Sequence, residues 1–250
     1  MKRKVSNYLQ KKKENNELVH FTLIDPEKAI SNLDALRKTV RALEDAGTDC
    51  FLVGGSTGIS QLDVDVVVKT IKEESKLPVI LFPGNVSGIS KYADAILFMS
   101  LLNSDDPYFL IGAQVLGAPI VKRYQLEPLP TAYIIIGYGG AAGYIGRARP
   151  IPYDRPEIGA AYALAASMLG MKYIYFEAGS GSPKPVPLNF IKYTRRLVEE
   201  DVFLIVGGGL RDPEYIIKLH ELGANGVVTG TVVEENLEKG VNLIRSIKRR

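Results

Sequence analysis

The chain has a single cysteine, two histidines and no tryptophan among its 250 residues. The lone thiol, Cys50, forms no internal disulfide and supplies no multi-thiolate zinc site. His20 and His220 make neither an HExxH motif nor a histidine cluster. No secretory signal is legible, because the basic start Met1–Lys13 runs into Glu14, Asn15 and Asn16 instead of an apolar segment, so a cytoplasmic protein is expected. The longest uncharged stretch, Pro128–Gly146, has about the length of a membrane span. Prolines at 128 and 130 and five glycines from Gly137 onward make it read as a strand entering a glycine-rich loop.

What the chain does have is a core. Its residues are 46% hydrophobic and 24% charged, which suits a globular domain. No linker-like segment interrupts it, so one domain over 1–250 is expected. The formal charge of +3 is unevenly placed: 1–13 carries six basic residues and no acid, 245–250 carries four basic residues, and the remainder has a net charge of −7. The basic ends read as extensions of an acidic body. A nucleic-acid reader needs a basic face with recognition elements on it, so no nucleic-acid partner is expected. Peripheral contact with an anionic membrane surface fits the basic ends better.

Short β-branched or apolar runs alternate with helical patterns. The predicted strands are Leu18–Ile24, Cys50–Val53, Val79–Phe82, Ala95–Met99, Ala132–Ile136, Tyr173–Phe176, Phe203–Val206 and Gly226–Val228. The predicted helices include Ala29–Ala46, Leu62–Glu74, Pro107–Leu116, Glu157–Leu169, Leu188–Glu200, Pro213–Leu222 and Glu235–Ile247. Eight such units predict an α/β fold, a (β/α)8 barrel, in preference to an open doubly wound sheet. The connection Gly84–Asp94 has room for only a short helix.

In such a barrel, chemistry gathers at the C-terminal strand ends. Three successive ends there are glycine-rich: Gly179-Ser180-Gly181, Gly208-Gly209 and Gly230-Thr231. Glycine lets backbone N–H groups turn toward a ligand at close range, so the three loops predict a phosphate cradle. Asp25, at the first strand end, is suited to a hard cation, with Ser56 or Thr57 able to add a hydroxyl. Asp25-Pro26 also reads simply as a helix start. Glu177 is the second inward carboxylate, a base or an orienter of hydroxyls. His20 and Cys50 read as packed residues. Tyr133, Tyr138, Tyr144, Tyr162 and Tyr175 are candidates to line an apolar groove, or ordinary packing.

These motifs together resemble the geranylgeranylglyceryl phosphate synthase family. The resemblance rests on His20-Phe-Thr-Leu-Ile-Asp-Pro26, Val53-Gly-Gly-Ser56, Leu81-Phe-Pro-Gly-Asn85, Ala93-Asp-Ala-Ile-Leu-Phe98, Tyr175-Phe-Glu-Ala-Gly-Ser-Gly181, Val206-Gly-Gly-Gly209 and Thr229-Gly-Thr231, and spans Leu18 to Val233. It implies a TIM-like barrel that joins sn-glycerol 1-phosphate to geranylgeranyl diphosphate through an ether bond and releases pyrophosphate, in archaeal-type membrane lipid synthesis. It implies a glycerol-phosphate site at Tyr175, Phe176, Glu177, Ala178, Gly179, Ser180, Gly181, Gly208, Gly209, Gly230 and Thr231. It also implies a magnesium site at Asp25 and Ser56, with Asp25 and Glu177 as the catalytic carboxylates.

Arg155-Pro-Glu-Ile-Gly-Ala-Ala-Tyr162 looks like the branch of the family that forms larger homo-oligomers. Where many members have an acidic residue, proline and glycine after strand five, this chain has Ile136-Gly-Tyr-Gly-Gly140, and Tyr144 stands where tryptophan is frequent. Burying a prenyl methylene is worth about 0.8 kcal/mol, so groove length can select chain length. The alanine-rich helix Glu157–Leu169 is the expected wall of that groove. A heptaprenylglyceryl phosphate synthase is the near alternative. A phosphosugar isomerase or lyase barrel, and a module binding membrane or RNA through its basic ends, are the distant ones.

Overall fold

The computed structural model describes residues 4–55 and 60–248. Eight strands, β1 (Val19–Ile24), β2 (Cys50–Val53), β3 (Val79–Leu81), β4 (Ala95–Leu101), β5 (Glu127–Ile135), β6 (Tyr173–Glu177), β7 (Phe203–Gly207) and β8 (Gly226–Thr229), pair in parallel in chain order, and β8 closes on β1. The predicted α/β barrel is therefore present. The helices are α1 (Lys4–Glu14), α2 (Pro26–Ala29), α3 (Leu33–Ala46), α4 (Gln61–Glu74), α5 (Ala113–Tyr124), α6 (Gly140–Ile145), α7 (Pro156–Met168), α8 (Leu188–Arg195), α9 (Pro213–Glu221), α10 (Thr231–Glu235) and α11 (Leu237–Lys248).

Parallel strands covered on both faces read as continuous apolar runs, and β2 and β7 are buried at every residue. Alternation then divides the core. Phe21, Leu52, Ile80, Leu97, Tyr133, Tyr175 and Ile205 fill the barrel, while Phe51, Val53, Ile134, Phe176, Leu204 and Val206 pack against the helices. Helix ends follow local chemistry. Asp212 caps α9 and Pro213 opens it, and Gly47, Gly170 and Gly223 take the left-handed conformation after α3, α7 and α9.

The basic start, expected as an extension, is over Lys4–Glu14 a helix closing the bottom of the barrel. Val5 and Leu9 of α1 join the barrel core, and Glu127 at the start of β5 accepts the N–H groups of Val5 and Ser6 at 2.8 and 2.9 Å. Lys12 pairs with Asp49 at 3.1 Å, and Lys248 pairs with the same carboxylate. Lys12 and Lys248 are thus engaged inside the fold, while residues 1–3 and 249–250 of the basic ends lie outside the described residues.

The predicted helix Ala29–Ala46 is two helices, because Asn32 caps α3 by accepting the Ala35 N–H at 3.0 Å. Between β3 and β4 there is one 3-10 turn, Val86–Gly88. That flank of the barrel carries no full covering helix. Pro128–Gly146 is β5 and a glycine-rich loop into α6, and no described helix is long and apolar enough to cross a membrane.

Candidate active site

A cavity of about 330 Å³ opens at the C-terminal end of the barrel. Its polar limb is lined by Ser180 and Gly181 after β6, Gly208 and Gly209 after β7, and Gly230 and Thr231 after β8. The hydroxyls of Ser180 and Thr231 face each other at 3.1 Å and join the first loop to the third. The cradle exists because side chains are absent. Gly208 has φ +82°, and a Cβ there would fall 2.4 Å from Glu177 Oε1 and 2.6 Å from the Gly179 nitrogen. A Cβ on Gly179 would fall 2.6 Å from the Gly139–Gly140 backbone, so the loops after β5 and β6 pack main chain on main chain. Helix dipoles add little, since α10 is a single short turn and α9 begins beyond Asp212.

Glu177 ends β6 inside this limb and is buried. Its Oε1 accepts the Gly179 N–H at 2.5 Å. Burial raises its pKa above the ordinary carboxylate value, against the lowering effect of the Gly179 N–H and the nearby phenols of Tyr175 and Tyr133. Phe82, Tyr133 and Tyr175 form the floor, with Phe82 stacked on Tyr175 at 5.5 Å and Tyr133 set edge-on to Tyr175 at 5.1 Å. Burial raises the pKa of the Tyr175 hydroxyl and the nearby Glu177 charge raises it further, yet the hydroxyl has no partner in hydrogen-bond geometry.

Asp25 follows β1. Its Oδ1 accepts the Glu27 N–H at 3.0 Å and so caps α2, while the residue also lines the cavity. Half-burial raises its pKa, against the Glu27 N–H and the Lys28 charge. Ring order places Asp25 between the polar limb on β6–β8 and an apolar limb on β3, β4 and α5. Val86, Ile89, Phe98, Met99, Phe109 and Val121 line that apolar limb.

The structure separates the expected residues into two groups. Asp25, Tyr175, Glu177, Ser180, Gly181, Gly208, Gly209, Gly230 and Thr231 line the cavity. Phe176, Ala178 and Gly179 do not. As the outward residue of β6, Phe176 packs edge-on to Phe190 at 5.9 Å. Ala178 belongs to the outer core, and Gly179 spends its N–H on Glu177. Ser56 and Thr57 lie outside the described residues.

The groove expected along α7 is corrected as well. No α7 residue lines the cavity, and at Gly159 the space is filled, since a Cβ there would fall 2.6 Å from the Phe190 ring. Among the expected tyrosines, Tyr133 and Tyr175 line the cavity, Tyr162 packs on the outer core, and Tyr138 and Tyr144 are exposed. Lys28, Phe82, Gln114, Arg211 and Glu234 line the cavity and were not expected there. Lys28 had a readable signal, three residues beyond Asp25 and one helical turn along.

His20 is fully buried between Thr48 Oγ1 and Thr229 Oγ1, each at 2.9 Å, and burial pushes its pKa down to about 3. It is a packed residue, as expected.

The chain matches the PcrB family over residues 9–248. It is 48% identical over 248 residues to the geranylgeranylglyceryl phosphate synthase of Saccharolobus solfataricus, covering 99% of this chain and 96% of that protein. It is 50% identical over 245 residues to the synthase of the same name from Sulfolobus acidocaldarius, covering 98% and 94%. Among solved structures, it superposes with TM-score 0.91 and 39% identity on (S)-3-O-geranylgeranylglyceryl phosphate synthase from Thermoplasma acidophilum, determined in complex with its substrate sn-glycerol-1-phosphate, covering 98% of this chain and 99% of that one. The chain belongs to the PcrB family and, within it, to the geranylgeranylglyceryl phosphate synthases.

Proposed function

We propose that this chain joins sn-glycerol 1-phosphate to geranylgeranyl diphosphate, forming a C–O ether bond and releasing pyrophosphate. The observation that carries the reading is one cavity holding a three-loop phosphate cradle and a buried carboxylate at one end and an apolar limb at the other. The cradle suits the phosphate of the glycerol substrate, and Ser180 and Thr231 offer hydroxyls to it. Anchoring the phosphate positions the glycerol's free hydroxyl for attack. Glu177 orients that hydroxyl and accepts its proton as the oxygen bonds to the allylic carbon. A carboxylate whose pKa burial raises is a better base for this step than an ordinary one. The electron pair of the breaking bond leaves with pyrophosphate, and the apolar limb holds the prenyl tail.

The residues fit a magnesium requirement. Asp25 commits Oδ1 to capping α2 and lines the cavity between the two limbs, and no group of three or more His, Cys, Asp or Glu among the described residues could cage a metal. One carboxylate, with the Ser56 hydroxyl, suits a hard cation that keeps oxygen ligands from water and substrate. Asp25 and Ser56 would hold such a cation, which would supply positive charge where the pyrophosphate departs.

We also propose a homo-oligomer, supported by Val115 and Leu116 in the first turn of α5 and Ile111 just before it, which are all exposed. Light scattering that returns a monomer mass would dismiss it.

The test of the reaction is incubation of purified protein with magnesium, sn-glycerol 1-phosphate and prenyl diphosphates of several lengths, followed by mass spectrometry of the organic phase. A magnesium-dependent ether product with the twenty-carbon donor preferred is expected. Preference for a thirty-five-carbon donor would favour the heptaprenyl reading, and no product from folded protein would refute both.

A further inference from the structure

Both proposed substrates are polyanions, yet the cavity's described lining carries three carboxylates, Asp25, Glu177 and Glu234, and only two cations, Lys28 and Arg211. A diphosphate brings more negative charge than one divalent ion beside Asp25 offsets, so a protein cation must meet it. Arg211 is engaged, with its guanidinium forming a two-pronged contact to Glu235 at 2.6 and 2.8 Å. Such a fork is the stronger and more rigid kind of ion pair.

Lys28 is held differently. It lies in the last turn of α2, the helix that Asp25 caps, and its Nζ reaches Glu234 on α10 through one contact of 2.6 Å. The lysine side chain is 65% exposed and the glutamate 26%. An ion pair this exposed contributes little to stability, and an ammonium on a flexible stem changes partner readily. Because α2 follows β1 and α10 follows β8, the pair bridges the mouth between the Asp25 position and the phosphate cradle. That is where the diphosphate must sit if the phosphate lies on β6–β8 and the tail on β3–β4.

We propose that Lys28 is a diphosphate-contacting residue, held across the cavity mouth by Glu234 and transferred from that carboxylate to the diphosphate when the prenyl donor binds. The inference rests on the reaction proposed above. In the bound state the Lys28 ammonium would donate to phosphoryl oxygens and stabilise the negative charge that builds on them as the allylic C–O bond breaks.

The test compares wild type, Lys28→Met and Glu234→Gln, using inorganic pyrophosphate with magnesium as the calorimetric probe and steady-state constants for both substrates. A lost charge-assisted contact predicts that Lys28→Met weakens pyrophosphate and raises KM for the prenyl donor by about 10-fold or more, with KM for glycerol phosphate unchanged. Glu234→Gln removes the competing carboxylate and should tighten pyrophosphate. Opposite signs are expected. A brace between α2 and α10 would instead make both variants move together, and that result overturns the proposal, as does pyrophosphate affinity unchanged in Lys28→Met while wild type makes ether. Thermal melts of both variants near wild type keep the comparison free of unfolding. Wild type that neither binds pyrophosphate nor makes ether overturns the reaction reading and this inference together.

Discussion

Removing one oxygen atom from Tyr175 should stabilise the protein and impair it as an enzyme. The ring is fully buried, stacked on Phe82 at 5.5 Å and edge-on to Tyr133 at 5.1 Å, and its hydroxyl has no hydrogen-bond partner. A buried polar group without a partner costs about 1–3 kcal/mol. Tyr175→Phe keeps the ring, both aromatic contacts and nearly all the volume, so its stability should rise by about 1 kcal/mol, a melting temperature about 2–4 °C higher in a chain of this size. Binding should move the other way. Tyr175 lines the cavity beside Glu177, and a neutral hydrogen bond from its hydroxyl to a bound ligand would be worth about 0.5–1.5 kcal/mol, so the Kd for sn-glycerol 1-phosphate should rise about 2- to 10-fold. Differential scanning fluorimetry and titration calorimetry on the same preparations read both signs. A lower melting temperature would mean the hydroxyl is bonded within the protein, with Glu177 the nearest candidate. A higher one with unchanged affinity would mean it is not turned to ligand. Either result refutes the reasoning.

Deleting residues 1–13 should cost about 3–6 kcal/mol in urea denaturation, because Val5 and Leu9 leave the barrel core and each buried apolar side chain is worth about 1.5–3 kcal/mol; stability equal to the full chain would show that α1 is dispensable. Since burial pushes the His20 pKa down to about 3 from an unfolded value of about 6.5, the unfolded chain takes up a proton the native fold refuses. Stability should therefore fall by about 1.4 kcal/mol per pH unit on going below 6.5. Denaturation at several pH values should show that slope in wild type and not in His20→Gln, and imidazole NMR should find His20 neutral at pH 5. Gly117→Leu should shift donor preference toward shorter prenyl diphosphates, since a Cβ there already comes within 3.3 Å of Ile89 Cδ1 across the apolar limb; an unchanged product distribution would place the tail elsewhere.

The barrel was legible because each strand is a short apolar run bounded by turn residues, and the count of eight set the closure. β5 was the exception. It begins at Glu127 and passes through Pro128 and Pro130, which read as breakers. Residues 127–130 pair only with β4, since β6 joins at Thr131. A proline without an N–H is tolerated along such a local edge. α1 was illegible for a different reason: two apolar residues one turn apart among lysines are a weak periodic signal, and what holds the helix is a carboxylate more than 120 residues away. The polar limb was readable from glycines at strand ends, but glycine does not say which N–H groups stay free. Gly179 bonds to Glu177, and Gly208 is present to admit that carboxylate.

The apolar limb shows where composition and topology part company. Alanines and a glycine along α7 look like room for a lipid tail, but a small residue leaves room only if nothing large faces it. Phe190 and Phe176 face α7 and occupy the space. Room appears instead where a whole element is missing. The β3–β4 connection supplies one 3-10 turn in place of a helix, and the next cover, α5, carries Gly117 on the cavity side. The limb is thus bounded by Val86 and Ile89 from the short connection and by Val121 from α5. Its width follows from a connection too short to form a helix, a feature visible in the length of Gly84–Asp94 before any side chain is considered. The room in this limb is then a property of chain connectivity first and of side-chain size second.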